Sequence, residues 1–355
     1  MFNFFEETVK QYSRRDFLKF TGSTLLSLWM LPILDNGWKP KKLETADTLQ
    51  HRYARVISEN VDVFDKPSHN AKLITTLWQD TVKPINSVTV SADANSYNRI
   101  WYEIENAGFV HSGTIQPVDI KKNDVVEILP AQGALVELTV PFSDAVWHPT
   151  SSHLVVYRLY FGTVYWANAV YQDKNGKYWY RIADDKWDIQ YYVEAAHLHI
   201  IKADEISPLS SHIPETEKRI EVLLSDQAVI AYESDHPVFL ARTATGARFI
   251  DGDYRTVPGL YITNRKRHSR HMAAGDPAAA NSYDLPGIPW ICYITEKGVS
   301  FHGTYWHNDF GKPRSHGCIN LTPDDARWLY RWTNPNVSLG KETESAKTGT
   351  WVKVI

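Results

Sequence analysis

The stretch Ser315-His316-Gly317-Cys318-Ile319-Asn320-Leu321 runs straight into Thr322-Pro323-Asp324-Asp325. Sixteen positions before its cysteine stands His302, in Phe301-His302-Gly303-Thr304. A thiol, two imidazoles and a glycine in one short segment are what acyl transfer by a cysteine requires. The thiolate is the nucleophile, and a neighbouring imidazole lowers the thiol pKa so that thiolate exists near neutral pH. A small residue before the cysteine lets a carbonyl approach and frees backbone N–H groups for the oxyanion. The residues alone leave the base open between His302 and His316, because sequence separation does not give geometry. Thr322 suits an N-cap, Pro323 the first helical position and Asp325 the third, and Ala326, Leu329 and Tyr330 share one face, so a helix is predicted after the motif. Cys318 then lies on a strand-to-helix connection, a good place to expose a nucleophile.

Upstream of the motif the pattern is β. Arg219 to Leu223 alternates, Ala228 to Tyr232 returns after a turn at Ser225-Asp226-Gln227, and Val238 to Ala241 follows Ser234-Asp235-His236-Pro237. This is a meander. Further strands are predicted at 259–263, 290–295 and 298–302. Arg265 to Met272 reads as a basic loop, either a flap meeting anionic substrate groups or a solvated turn. Tyr305 to Gly311 reads as a loop whose aromatics, Tyr305 and Trp306, floor a substrate groove.

A weak internal repeat precedes this region. Trp101-Tyr102-Glu103-Ile104 is followed by Gly108-Phe109-Val110, and Trp179-Tyr180-Arg181-Ile182 by Tyr191-Tyr192-Val193. Short alternating strands between turn signals predict two small all-β units, at 50–120 and 130–202. Asp173-Lys174-Asn175-Gly176-Lys177 is a hairpin signal, since Asn-Gly tolerates positive φ. Residues 203–217, with Pro208 and Pro214 among polar residues, read as a linker to a last domain at 218–355. Any one of Trp101, Tyr102, Trp179 and Tyr180 is read as core before ligand contact.

Of 355 residues, 43% are apolar and 22% charged, enough to bury a sizeable core. The net charge of -3 argues against nucleic acid as the main partner. The 13 Trp and 19 Tyr suit small β cores and sites for sugars and peptides. The 2 cysteines permit one bridge, Cys292–Cys318, but Cys292 in Trp290-Ile291-Cys292-Tyr293 reads as a small core residue.

Two resemblances frame these readings. Ser13-Arg14-Arg15-Asp16-Phe17-Leu18-Lys19 resembles the twin-arginine export motif, and the apolar run from Phe20 to Leu34 is too short to span a bilayer. Residues 1–45 are therefore set aside as a signal or anchor, which implies an exported protein whose only tie to the membrane is that segment when uncleaved. The two β units resemble bacterial SH3-like domains, which implies cell-wall contact, with glycan as a candidate ligand.

Phe-His-Gly-Thr, the sixteen-residue step and Ser-His-Gly-Cys-Ile-Asn-Leu resemble the L,D-transpeptidase (YkuD-type) catalytic domain over residues 217–355. The resemblance implies a mainly β fold: two SH3-like barrels, then a β-rich catalytic domain with one main helix after the cysteine. It implies that Cys318 attacks the carbonyl of a peptidoglycan stem peptide, with His302 as base and the Gly303 carbonyl holding its tautomer. His316 and the amides of Gly317 and Cys318 would surround the oxyanion. Ser315, Asn320, Trp306, Tyr305 and Met272 are the expected substrate contacts. The thioester then passes to an amine of a neighbouring stem as a 3-3 cross-link, or to water in a carboxypeptidase or endopeptidase reading. A non-catalytic wall-binding protein is a further alternative, against which the intact Cys318 and His302 argue. A zinc site drawn from His268, His271, His302, His307, His316 and Cys318 has poor ligand spacing, so neither metal nor cofactor is expected.

Overall fold

The computed structural model describes residues 51–151, 153–275 and 282–355; the twin-arginine segment lies outside them. The chain is mainly β with one α-helix among the described residues. Residues 53–118 form a seven-stranded sheet. Its strands in chain order are Tyr53–Val56, Asn60–Phe64, Leu73–Trp78, Val82–Val90, Ile100–Ile104, Gly108–His111 and Ile115–Val118, and in space they run third, second, sixth, fifth, fourth, first, seventh. Residues 134–200 repeat that spatial order with Ala134–Leu138, Phe142–Val146, Val155–Tyr160, Val164–Gln172, Tyr178–Ala183, Gln190–Glu194 and Leu198–Ile200. The faint sequence repeat is thus a repeat of topology.

Period-two burial builds each core. In Asn60–Phe64 only Val61 and Val63 turn fully inward. Tyr102 and Ile104 join the first core, Tyr180 and Ile182 the second. The adjacent tryptophans are buried too, each under its own cover. Trp101 lies beneath Phe64, His69 and His111. Trp179 closes the predicted hairpin, its Nε1 donating to Asp173 Oδ2 at 3.2 Å, while Gly176 takes φ 79°.

The C-terminal domain holds two five-stranded sheets and helix α1, Pro323–Trp332. One sheet has the spatial order His236–Arg242, Ala228–Glu233, Lys218–Leu223, Trp351–Val354, Gly259–Ile262. The other runs Ile319–Leu321, Ser300–Gly303, Tyr283–Tyr293, Arg265–Ala274, Thr343–Ser345. Ile220, Val222, Val229, Phe301, Ile319, Leu329 and Trp332 share the core between them, which Leu135 and Val164 of the second β unit also enter. Gly287 permits that approach: at φ 69° it leaves the Tyr165 ring room that a Cβ, 2.3 Å from it, would take.

Helix α1 begins as expected. Thr322 caps it, its Oγ1 accepting from Asp325 N at 3.1 Å. Its C-terminal carbonyls have buried cationic partners: Lys266 Nζ donates to Tyr330 O and Thr333 O, and Lys218 Nζ to Trp332 O at 3.2 Å. The 203–217 segment is not a loose tether. Leu209 N donates to Arg331 O at 2.9 Å, and Ile206 enters the main core.

The expected basic loop at 265–272 is instead most of a ten-residue interior strand of the second sheet. Lys266 and His268 point into the domain, and a register shift between Arg270 and Met272 turns His271 in as well. Each inward polar side chain has a partner. Lys266 caps α1, His268 meets Tyr330 Oη at 2.9 Å, and His271 lies between Asp184 and Asp284.

Candidate active site

The parallel pairing of Ser300–Gly303 with Ile319–Leu321 assembles the site. Its register sets His302 opposite Asn320 and Phe301 opposite Ile319. Alternate residues of a strand share a face, so Ser300 and His302 look the same way, as do Cys318 and Asn320. Both Ser300 and His302 meet the thiol at Cys318, and together with Asn320 they stand at one edge of the sheet. The intervening residues Phe301, Ile319 and Leu321 face the core and hold the strands in place.

His302 Nδ1 donates to the carbonyl of its own neighbour Gly303 at 3.1 Å. This fixes the tautomer and leaves Nε2 as the nitrogen for the thiol. Burial pushes the Cys318 thiol up, but a hydrogen bond from His302, its charge, and the amide and hydroxyl of Ser300 outweigh that effect. The net pKa lies below the ordinary thiol range. Ser300 Oγ stands 3.7 Å from Cys318 Sγ. Both cysteines are free thiols, so the weighed Cys292–Cys318 bridge is absent.

The thiol opens into a cavity of about 480 Å³. Of the expected substrate contacts, Trp306, Met272, Ser315 and Asn320 line it, together with His316, Phe249, Tyr283 and Arg314. Trp306 lies near-parallel to His302, ring centres 5.9 Å apart at 29°. Asn320 Nδ2 lies 3.0 Å from His307 Nε2. Burial and then the Arg314 charge press the His307 pKa down to about 3, so this ring is neutral.

Three expectations change. Tyr305 does not line the cavity. It is buried beneath the second β unit, stacked 5.6 Å from Tyr160 with its hydroxyl donating to Pro286 O at 3.1 Å. The chain bends as it leaves the strand at Gly303, and Trp306 takes the cavity side. The Gly317 N–H, assigned to the oxyanion, donates to Ser315 Oγ at 3.1 Å. Gly317 contributes its positive φ of 114° and a carbonyl that accepts from Thr256 Oγ1 at 2.9 Å. His316 turns outward between Phe249 and Tyr254, 4.7 and 4.6 Å away, as a wall of the cavity mouth. Ser315 also fixes the turn, its Oγ donating to Cys318 O.

Ser300 escaped the motif reading, although period-two alternation back from His302 along one strand points to it. Phe249, Tyr283 and Arg314 carry no local signal and arrive through tertiary contacts. Among the described residues no group of three or more His, Cys, Asp or Glu side chains could hold a metal.

Residues 217–354 match the family model of the YkuD L,D-transpeptidase catalytic domain. Similar solved structures include a mutant L,D-transpeptidase of Enterococcus faecium at 21% identity, covering 39% of this chain and 50% of that chain with a TM-score of 0.30. L,D-transpeptidase 3 of Mycobacterium tuberculosis, carrying a faropenem-derived adduct, shows 22% identity over 39% of this chain and 60% of its own, TM-score 0.31. An L,D-transpeptidase of Mycobacterium smegmatis shows 18% identity over 54% and 89%, TM-score 0.32. The chain spans 50% and 60% of the length of the first two of these structures. No curated protein matches it.

Proposed function

We propose that Cys318 of this chain carries out L,D-transpeptidation of peptidoglycan stem peptides. The observation that carries the reading is the chain of contacts from the Gly303 carbonyl through His302 to a thiol of lowered pKa at the floor of an open cavity. The family match over 217–354 supports it. The thiolate adds to the carbonyl of the third residue of a stem tetrapeptide, and His302 Nε2 holds the thiol proton. The Cys318 N–H is the amide assigned to the oxyanion. Collapse of the tetrahedral adduct expels the terminal D-residue, whose amine takes the proton from His302, and leaves a thioester. An amine of a neighbouring stem then attacks the thioester and gives the 3-3 cross-link, with His302 accepting its proton.

Mass spectrometry of the full chain with a defined tetrapeptide, with and without an acceptor stem, tests this. A thioester on Cys318 and a cross-linked product are expected. A hydrolysed tripeptide as sole product assigns the protein to the carboxypeptidase class, and absence of any adduct ends the reading. Labelling of the same thiol by a carbapenem is the quick version.

Action outside the cytoplasmic membrane is part of this proposal and rests on Ser13 to Lys19. A reporter fused to residues 1–45 should cross by the twin-arginine route, and loss of export on changing Arg14 and Arg15 to Lys tests it. The two β units are read as SH3-like. Any glycan contact belongs to exposed rings such as Trp78, 63% accessible, since Trp101 at 1% is core. Trp78→Ala should then weaken retention on purified sacculi.

A further inference from the structure

The segment between the two catalytic strands, Thr304 to Arg314, supplies both Trp306 and Arg314 to the cavity. It has no strand or helix to stiffen it. Its partners lie largely in the first β unit, some 190–250 residues away in sequence. At its start, Arg55 Nη2 donates to Tyr305 O at 3.0 Å. Arg55 is fully buried and otherwise saturated: Gln116 Oε1 accepts from its Nε and Nη2, Asp80 from its Nη1, and its guanidinium lies 4.1 Å from the Tyr160 ring centre. In the middle, Asn308 N donates to Gly113 O at 3.2 Å. Asp309 beside it is buried, and its Oδ1 accepts from the Tyr97 hydroxyl at 2.6 Å. Its Oδ2 accepts from Arg314 Nη1 at 2.8 Å and faces Lys312 Nζ at 2.9 Å. Arg242, at the end of a catalytic-domain strand, returns the contact by donating to Tyr97 O at 2.6 Å.

We infer that the first β unit is a working part of the active site, with Arg55 and Tyr97 as positioning residues. They hold the 304–314 segment so that Trp306 lies along His302 and the Arg314 guanidinium faces the acyl donor. A module that served only to tether the protein to the wall would not need a saturated buried arginine and a charge-assisted tyrosine bond on this one loop. Fit is tight as well: a Cβ on Gly113 would come 2.9 Å from Asp309 Oδ1.

The inference rests on the acyl-transfer reading for its consequence, but its structural half is measurable apart from it. Tyr97→Phe in the full chain keeps a half-exposed ring and removes the hydroxyl that bonds Asp309 and Lys312, both within the 304–314 segment. Hydrogen exchange of residues 304–314 should quicken about tenfold. Thioester formation on Cys318 by a tetrapeptide should slow about tenfold, while alkylation of Cys318 by iodoacetamide, which needs only the thiolate, keeps its rate and pH midpoint. Gly113→Ala, acting on the same carboxylate from the other side, should reproduce the pattern. Unchanged exchange across 304–314 overturns the inference even in a wild-type protein that forms no thioester, a result that would by itself sink only the acyl-transfer reading. Faster exchange with undiminished acylation also overturns it. So does a parallel fall in acylation and alkylation, which would mark a general loss of structure.

Discussion

The two cysteines of this chain sit on nearby strands of one sheet, and their surroundings push them in opposite directions. Cys292 pairs across to Phe301, is fully buried, and has Lys266 near enough to favour its thiolate. Its pKa is nevertheless raised, because burial outweighs that charge and its one polar contact is Thr333 Oγ1 at 3.6 Å. Cys318 lies one strand further, beyond Ser300–Gly303, and its pKa is lowered because hydrogen bonding and charge from His302, with the amide and hydroxyl of Ser300, outweigh burial. A cation in the neighbourhood does not make a nucleophile. Hydrogen bonds aimed at the sulfur and an opening to substrate do.

The strongest way to break this contrast is Cys318→Ala, which should abolish thioester formation with the fold intact, as read by mass spectrometry and far-UV circular dichroism. Cys292→Ala should leave the same adduct at wild-type yield. Next comes His302→Ala, expected to slow acylation by about 10²–10⁴, the usual worth of a positioned base. It should also move the alkylation midpoint of Cys318 up toward that of a free thiol. The sign follows from the lowered pKa. Thiolate appears at lower pH than in an unfolded chain, so the wild-type rate rises early in a pH series. The matching contribution to stability is present above the unfolded thiol pKa and is lost as pH falls through the folded one. An alkylation profile with the same midpoint in His302→Ala would remove that residue from the role.

Ser300→Ala should give a smaller effect of the same kind, about tenfold or less in acylation with a partial upward shift of the midpoint, because the backbone amide of Ser300 remains. Smallest in activity is Cys292→Ala. It costs stability instead, about 1–2 kcal/mol by urea denaturation, since it removes a sulfur from a packed core. A wild-type rate of Cys292 alkylation equal to that of Cys318 in the native state would erase the comparison altogether.

The parts of the site that were legible in the sequence are those tied to local rules. The cap at Thr322, the helix after it and the meander from Arg219 follow from capping chemistry and periodicity. The nucleophile follows from residue type, and so does a choice of two imidazoles for its partner. The strand at 265–274 was not legible, because its inward positions are Lys266, His268 and His271, which carry no apolar alternation. Their burial is compensated by carbonyls, a tyrosine hydroxyl and carboxylates that lie 13 to 87 residues away. Tyr305 and Trp306 were indistinguishable as neighbouring aromatics until the second β unit took one of them.

From its sequence alone this protein has a cysteine nucleophile, an imidazole for it, a helix behind it and a duplicated β unit ahead of it, since thiol chemistry, helix caps and strand alternation are properties of short segments. Only the folded chain decides that His302 and Cys318 meet, through a parallel register between strands with a loop between them. Only the folded chain shows that Ser300 joins them, that the Gly317 amide is spent on Ser315, and that the first β unit grips the loop beside the thiol. Those are matters of how strands pair and of which polar group finds which partner, and the local rules of capping and alternation do not set them.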